Sequence, residues 1–348
     1  MKEVGFGIIG CGNIAPMHAR SLKEIDGARL IAVSDVVVPN VEKFAAEYGV
    51  VAYTDYAEML KRDDVHAVSL CIPSGMRCEV AEACARAGKH VLSEKPLEVT
   101  TERIDRIIAA CEVAGVKLGC IFQSRFADAP RAVHEAIEQG RFGKLILGDA
   151  YIKWYRSQAY YDSGKWRGTW KLDGGGALMN QGIHQIDLLL WYMGPAKRVT
   201  AKTALAGHTG IEVEDIATAL VEFESGAMGV IEGSTAIWQG HPARVEVHGT
   251  EGSVVLEDGQ VKSWQFKDET PADADIRKRL GADKTLGSGS ADPMAGLGHG
   301  GHKRNIEDFV GSIREGRAPF VEGRDGRKAV QLIEAIYRSA KTNQLVEL

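Results

Sequence analysis

Apolar residues in the first third of the chain fall into short unbroken runs. "VGFGII" (4–9), "ARLIAVSD" (28–35), "HAVSLCI" (66–72), "KHVLS" (89–93) and "VKLGCIF" (116–122) lack the alternation of a half-buried strand. Runs of this length suit strands buried on both faces. Segments with helical spacing separate them. Asn13 to about Ile25 carries Ile14, Met17, Leu22 and Ile25. "VEKFAAEYG" (41–49) is stopped by Gly49, and helices are predicted at 77–88 and from Thr101 to Ala114. Strands that alternate with helices predict an α/β domain with a parallel, doubly wound sheet.

After about residue 122 the rhythm changes. A helix is predicted at 128–140, ending at Gly140. Strand-like runs follow at 144–156, 197–206, 214–223, 226–237, 242–248, 252–256 and 260–266. "ESGAMG" (224–229) and "HGTEGS" (248–253) read as hairpin turns. Strands in succession predict an α+β domain with a large, mostly antiparallel sheet. The stretch 268–301 is rich in Gly, Ala and Asp and reads as a loop or lid. Helices at about 302–315 and 326–341 close the chain, and no internal repeat is seen.

A length of 348 residues suits two domains, read as 1–122 and 123–348. A net charge of −5 with interspersed signs points to neither nucleic acid nor an acidic membrane surface. The N-terminal apolar run is too short for a secretory signal, and no stretch has the length of a spanning helix. A cytoplasmic protein is expected. The six cysteines (Cys11, Cys71, Cys78, Cys84, Cys111, Cys120) form no C-x-x-C pair. They read as reduced thiols rather than a disulfide or metal framework, and no metal site is expected. Cys11 alone, inside a glycine turn, is a candidate for oxidation.

That turn is "GCGNIA" (10–15), which closes the first strand and opens the first helix. Gly10 permits the tight turn, Gly12 lets a pyrophosphate approach the backbone, and Ala15 keeps the helix close to the sheet. The helix N-terminus offers unpaired N–H groups to phosphate. Asp35, at the end of the second strand, suits the ribose hydroxyls of NAD and would repel the 2′-phosphate of NADP; no Arg follows it. NAD is therefore the expected cofactor. Glu94-Lys95-Pro96 lies at the carboxyl edge of a later strand, the edge where open α/β sheets bind ligands. A lysine there can reach a substrate oxygen beside the nicotinamide. Further on, "DGGGALMNQGIHQIDLLLWYMG" (173–194) predicts a helix with Asn180, His184 and Asp187 at i, i+4, i+7, on one face.

The glycine fingerprint with "AGKHVLSEKPLEVT" (87–100) resembles the glucose–fructose oxidoreductase / inositol dehydrogenase / MocA (Gfo/Idh/MocA) family. "GDAYIKWYR" (148–156), the stretch 166–194 and the C-terminal stretch 329–348 extend the resemblance over essentially the whole chain. It implies a Rossmann domain followed by an α+β domain that binds substrate and forms homo-oligomers through its sheet. It also implies NAD(P)-linked redox chemistry on secondary hydroxyls of sugars and polyols. Lys95 and His184 become the catalytic pair, with His184 taking the hydroxyl proton and Lys95 bonding the same oxygen. Cofactor contacts are implied at Gly10, Cys11, Gly12, Asn13, Ile14, Asp35, Ile72, Pro73, Glu94, Lys95 and Gln123, and at Trp166 and Arg167 near the nicotinamide. Substrate contacts are implied at Lys95, Arg125, Tyr155, Asn180, His184, Asp187 and His302, with Tyr160, Tyr161 and His299 as further candidates.

Two residues depart from the family. Asn180 stands where Asp is frequent, and Asn takes no proton; a branch with Asn acts on nucleotide-linked or modified sugars. Arg77 stands where His is usual. A releasing dehydrogenase is one reading. A second is an enzyme that retains NAD and recycles it during a transient oxidation or a sugar–sugar hydride exchange. A third is a non-catalytic NAD-dependent regulator, which would have no need of Lys95 or His184.

Overall fold

A computed structural model describes residues 3–281 and 299–348. The chain forms two compact units, Met1–Gln123 with Gly298–Arg327, and Ser124–Leu297 with Lys328–Leu348.

In the first unit β1 (Val4–Ile9), β2 (Ala28–Ser34), β3 (Val51–Tyr53), β4 (Ala67–Leu70), β5 (His90–Ser93) and β6 (Leu118–Cys120) form one sheet. Its order is β3-β2-β1-β4-β5-β6, and every pairing is parallel. The helices are α1 (Ala15–Glu24), α2 (Val38–Tyr48), α3 (Tyr56–Leu60), α4 (Arg77–Arg86) and α5 (Thr101–Ala114). This is the doubly wound order, with its topological switch between β1 and β4. Local chemistry sets the helix ends. The Thr100 hydroxyl accepts from Arg103 N at the start of α5, and left-handed Gly115 (φ 66°) ends it. α2 starts at Val38, three residues before the predicted 41, with Pro39 in its first turn, where a missing N–H costs nothing. β3 and α3 escaped the sequence reading because three to five residues carry too little periodicity.

The second unit contains α6 (Asp128–Glu138), β7 (Leu145–Lys153), α7 (Gln158–Asp162), a π-helical turn (Ala177–Gly182) and α8 (Ile183–Met193). It continues with β8 (Ala196–Ala204), β9 (Ile216–Phe223), β10 (Met228–Ser234), β11 (Arg244–Gly249), β12 (Gly252–Glu257), β13 (Gln260–Phe266) and α9 (Pro271–Leu280). After α10 (His299–Glu315) come α11 (Gly323–Thr342) and β14 (Val346–Glu347). The sheet order is β13-β12-β11-β7-β10-β9-β8-β14. Its pairings are antiparallel except β7 with β10. β9 alternates between buried Ala217, Ala219, Val221 and Phe223 and an outer face that leaves Leu220 exposed, as a sheet covered on one side requires.

Two expectations are corrected. The stretch 268–301 is not simply a loop, because α9 occupies Pro271–Leu280. Thr270 and Asp273 form a capping box at its start, and Asp273 also accepts from Trp264 Nε1 (2.6 Å) and Arg141 Nη1 (2.8 Å). The remainder, 282–298, lies outside the described residues. The domain assignment also changes. α10, read as part of the second domain, packs in the first: Ile306, Phe309 and Val310 join Phe6, Ile8 and Leu22 in one buried core. Phe309 and Val310 follow Ile306 by three and four residues, so the three make one apolar stripe. Which sheet the stripe covers is a tertiary choice that the spacing does not encode.

Candidate active site

The carboxyl edge of the first sheet gathers the glycine turn, Asp35, Ile72-Pro73 and Glu94-Lys95. Gly10 has φ +93°, and a Cβ there would lie 2.6 Å from Cys71 O, so only glycine fits. Gly12 has nothing within 4 Å of where a Cβ would stand. α1 begins without a side-chain cap at Ile14, and Ala15 is fully buried against the sheet. An open glycine beside an uncapped helix start fits a pyrophosphate. Asp35 ties this turn to β2: Oδ2 accepts from Cys11 N (2.7 Å) and Oδ1 from Val37 N (2.8 Å). Each oxygen keeps a lone pair that can take a hydroxyl donor. Burial, then the Asp35 charge, pushes the Cys11 thiol up to about 12. A thiol so rarely ionised is a poor nucleophile, which weighs against Cys11 as a candidate for oxidation.

Glu94 and His302, expected at cofactor and substrate, are drawn into a buried cluster of the first unit. Glu94 Oε1 accepts from His18 Nε2 at 2.9 Å and lies 3.4 Å from His302 Nε2; Oε2 accepts from Lys95 N at 3.2 Å. Burial works to raise the Glu94 carboxyl, but the two imidazoles outweigh it and hold the group well below its ordinary range. The side chain of His299 lies outside the described residues. Gln123 is half-buried at the start of a short 3₁₀ turn.

In the second unit the predicted helix over 173–194 is two things. Residues Ala177–Gly182 form the π turn, and α8 follows from Ile183. The wider π turn breaks the i, i+4 reckoning, so Asn180, His184 and Asp187 are not an equivalent set. His184 is half-buried. Asp187 is 1% exposed and pairs with Arg125 through two bonds, Nε–Oδ2 (2.8 Å) and Nη2–Oδ1 (2.6 Å). Both had been expected at substrate; the structure gives each the other as partner, because a buried charge must be matched.

Asn180 joins a different network. Its amide donates to the buried Asp173 carboxylate, which also accepts from Gly168 N (2.8 Å). Asn180 Oδ1 accepts from Gln181 Nε2 (3.2 Å). Gln181 Nε2 also donates to Tyr160 OH (2.9 Å), and Arg167 Nη1 donates to the same phenol (2.8 Å). Arg156 Nε closes the network on Gln181 Oε1 (3.1 Å). Arg167 lies over the rings of Tyr160 and Trp166, 4.3 and 4.6 Å from their centroids. The structure thus brings together Asn180, Trp166 and Arg167 from the predicted set, with Tyr160. Tyr155 packs edge-on to Trp238, and Tyr161 OH bonds Thr235 Oγ1 (2.8 Å). Asp173, Gln181 and Arg156 escaped the sequence reading. Asp173 directly precedes the glycine run, a position that could have marked it.

Glu214 was also missed, although an acid pair inside the apolar stretch "GIEVEDIA" (210–217) is a signal. It is 4% exposed and holds the π turn by its first residues: Oε2 accepts from Gly176 N (2.9 Å), Oε1 from Leu178 N (2.9 Å) and Tyr337 OH (2.9 Å). Burial pushes its carboxyl from an ordinary value of 4.5 up to about 7. Between those pH values the folded chain holds a proton that the unfolded chain has released. Stability therefore falls as pH rises from about 4.5 through about 7, by roughly 3 kcal/mol in all, and is then flat. Urea titrations from pH 4 to 8 should show this fall in the wild type relative to Glu214→Gln. Parallel curves for the two proteins would refute it.

Comparison with known proteins agrees with this architecture. The pattern described as "Oxidoreductase family, NAD-binding Rossmann fold" matches residues 4–122, and "GFO/IDH/MocA C-terminal domain" matches 131–255. The chain belongs to the Gfo/Idh/MocA oxidoreductase family. It is 29% identical to myo-inositol 2-dehydrogenase of Thermotoga maritima over 98% of each chain. The WlbA dehydrogenase of Bordetella pertussis, solved with NADH and UDP-GlcNAcA, is 32% identical with a TM-score of 0.91, covering 100% of this chain and 98% of that one. The Chromobactrium violaceum WlbA complex with the same ligands is 30% identical with a TM-score of 0.90, covering 100% and 96%. This member of the family is an oxidoreductase with an NAD-binding Rossmann domain. Among the described residues no helix is long and apolar enough to cross a membrane, and no group of side chains could hold a metal ion.

Proposed function

We propose that this oxidoreductase interconverts a secondary hydroxyl and a ketone on a nucleotide-linked sugar acid, with NAD as its cofactor. Dehydrogenases of sugars and polyols among its relatives support the broad reaction. The observation that carries the finer reading is the Asp173–Asn180–Gln181–Tyr160 network with Arg156 and Arg167 attached. It presents the half-buried Arg167 guanidinium, suited to carboxylate or phosphate oxygens, while Arg156, 2% exposed, braces Gln181 from within. Likeness over the whole chain to two structures solved with UDP-GlcNAcA points the same way.

Bound NAD supplies the hydride acceptor. The turn 10–15 receives its phosphates and Asp35 its ribose hydroxyls. His184 takes the hydroxyl proton, work suited to an imidazole near neutral pH. Lys95 donates a hydrogen bond to the substrate oxygen and stabilises the negative charge that develops there. The outer face of the second sheet, where Leu220 and Met228 are 65% and 64% exposed, supports assembly with further copies of the chain.

The reading is tested by NADH formation from NAD⁺ across UDP-GlcNAcA, other UDP-sugars, inositols and free sugars. Turnover confined to inositols would overturn the substrate class. NAD retained through purification, with transient oxidation but no net NADH, would replace the releasing dehydrogenase by a recycling one.

Cofactor choice has its own test. Asp35 is followed by Val36, Val37 and Val38, exposed by 82%, 47% and 45%, so a 2′-phosphate there would meet a carboxylate and no cation from this segment. Wild-type binding should favour NADH over NADPH by about 100-fold, the scale of an unfavourable like-charge contact. Asp35→Ser should narrow that ratio, read by fluorescence titration with both cofactors. An unchanged ratio in the variant would remove Asp35 from the choice.

A further inference from the structure

Arg77 stands beside the sheet edge that carries Lys95, and its surroundings show what it does. It is 5% exposed, at the first position of α4. Its Nε donates to Ile72 O at 3.0 Å. Its Nη1 donates to Glu94 O at 2.6 Å and also to Pro96 O. The two carbonyls on Nη1 belong to the residues immediately before and after Lys95. A buried guanidinium is costly unless matched, and here the Glu94 and Glu98 carboxylates supply opposite charge. From the other side, Glu94 Oε2 accepts from Lys95 N while its second oxygen faces His18 and His302.

The peptide group before Lys95 is therefore held at its carbonyl (Glu94 O) and at its amide (Lys95 N), and the chain beyond the lysine is held one peptide further on, at Pro96 O. A rotation that re-aimed the lysine would break bonds to two buried charged groups. An imidazole in its place would have at most two N–H donors on a rigid ring. A guanidinium has five in a fork, so Arg77 engages three carbonyls at once.

We propose that Arg77 is a positioning residue for Lys95: its guanidinium clamps the carbonyls of Glu94 and Pro96 and links them to the end of β4, fixing the backbone from which the lysine projects. This rests on the reading of Lys95 as a catalytic residue, and the test separates the two. Arg77→Met and Arg77→Lys are made alone and in a Lys95→Met background. NADH binding, thermal stability and turnover of UDP-GlcNAcA are measured. In Arg77→Met, kcat should fall by about 100-fold, the cost of a misplacement near 1 Å, with KM and NADH affinity little changed. In the Lys95→Met background the same change should cost nothing more. Arg77→Lys, which keeps the charge but loses the fork, should fall between and serves if Arg77→Met does not fold. An equal loss in both backgrounds would overturn the proposal.

A second readout needs no turnover. In protein labelled with ¹⁵N-lysine, the Lys95 amide signal is assigned by its absence in Lys95→Arg. It should shift in both Arg77 variants while signals from lysines of the second unit stay in place. An unmoved Lys95 amide would overturn the brace. A shifted amide, in a protein whose Lys95→Met variant turns over normally, would uphold the brace and overturn the catalytic role of the lysine.

Discussion

Lys95→Met and His184→Ala should each bind NADH as the wild type does and lose turnover. Loss of a positioned general base costs about 10²- to 10⁴-fold, and loss of a hydrogen-bond donor to a developing oxyanion about 10²- to 10³-fold. The two effects should differ in their pH dependence. A base that must be neutral to accept a proton gives kcat/KM an acid limb, so His184→Ala should flatten that limb. Lys95→Met should lower the whole profile and keep the limb. Steady-state NADH formation, with NADH titrated by fluorescence in parallel, makes the measurement. Either variant with wild-type kcat would remove that residue from the chemistry; lost NADH binding in Lys95→Met would place the lysine with the cofactor instead. Both substitutions are at half-buried positions, so thermal melts should show folds close to the wild type.

Arg125→Met alone should destabilise the second unit by about 3–5 kcal/mol, because it takes the two-bonded partner from the Asp187 carboxylate in a place with 1% exposure. Asp187→Leu alone should take the carboxylate partner from the Arg125 guanidinium, at 5% exposure, with a loss of similar size. The double variant Arg125→Met/Asp187→Leu removes both charges and should recover most of the loss, since well-packed apolar side chains replace a buried pair at little net cost. Denaturant unfolding followed by tryptophan fluorescence, with Trp191 beside the pair, supplies the four free energies of the cycle. Additive losses in the double variant would show that the two charges do not depend on each other. The same cycle bears on function. If Arg125 or Asp187 also served the substrate, the double variant would be stable but inactive. A stable double variant that keeps its KM would confine the pair to architecture.

Much of the first unit was legible in the chain. A buried parallel strand announces itself as a short apolar run, and Gly10, Gly12 and Asp35 sit at fixed offsets from strand ends. Those offsets are local, so chain order fixes their geometry. The Glu94-Lys95-Pro96 turn was visible for the same reason. In the second unit the strands were legible from their alternation, but the parallel pairing of β7 with β10 was not, because pairing depends on contacts remote in the chain.

The helix over 173–194 shows where local reasoning stops. Its helical character was readable, and the apolar positions Ile186, Leu189 and Leu190 are buried as their spacing suggests. Its first turn is nevertheless π-helical, held by Glu214 and Tyr337 from remote parts of the chain. One extra residue in a turn alters which side chains share a face, and no periodicity inside the segment records it. The mutual pairing of His302 and Glu94 was hidden from the sequence for a related reason. A histidine near the substrate and a histidine locked to a buried carboxylate look alike in sequence.

By itself, then, the sequence determined the class of fold, the strand that carries the glycine turn, the cofactor class and the identity of Lys95 and His184 as candidates. Each of these is written in residues that are neighbours along the chain or one regular element apart. The tertiary structure alone decided which charges serve one another. Arg125 went to Asp187, Glu94 to His18 and His302, Asn180 to Asp173, and Arg77 to the backbone around Lys95. The reason is physical: a charge or polar group removed from water must find a partner wherever the folded chain brings one within hydrogen-bond reach. That search runs through space, not along the sequence.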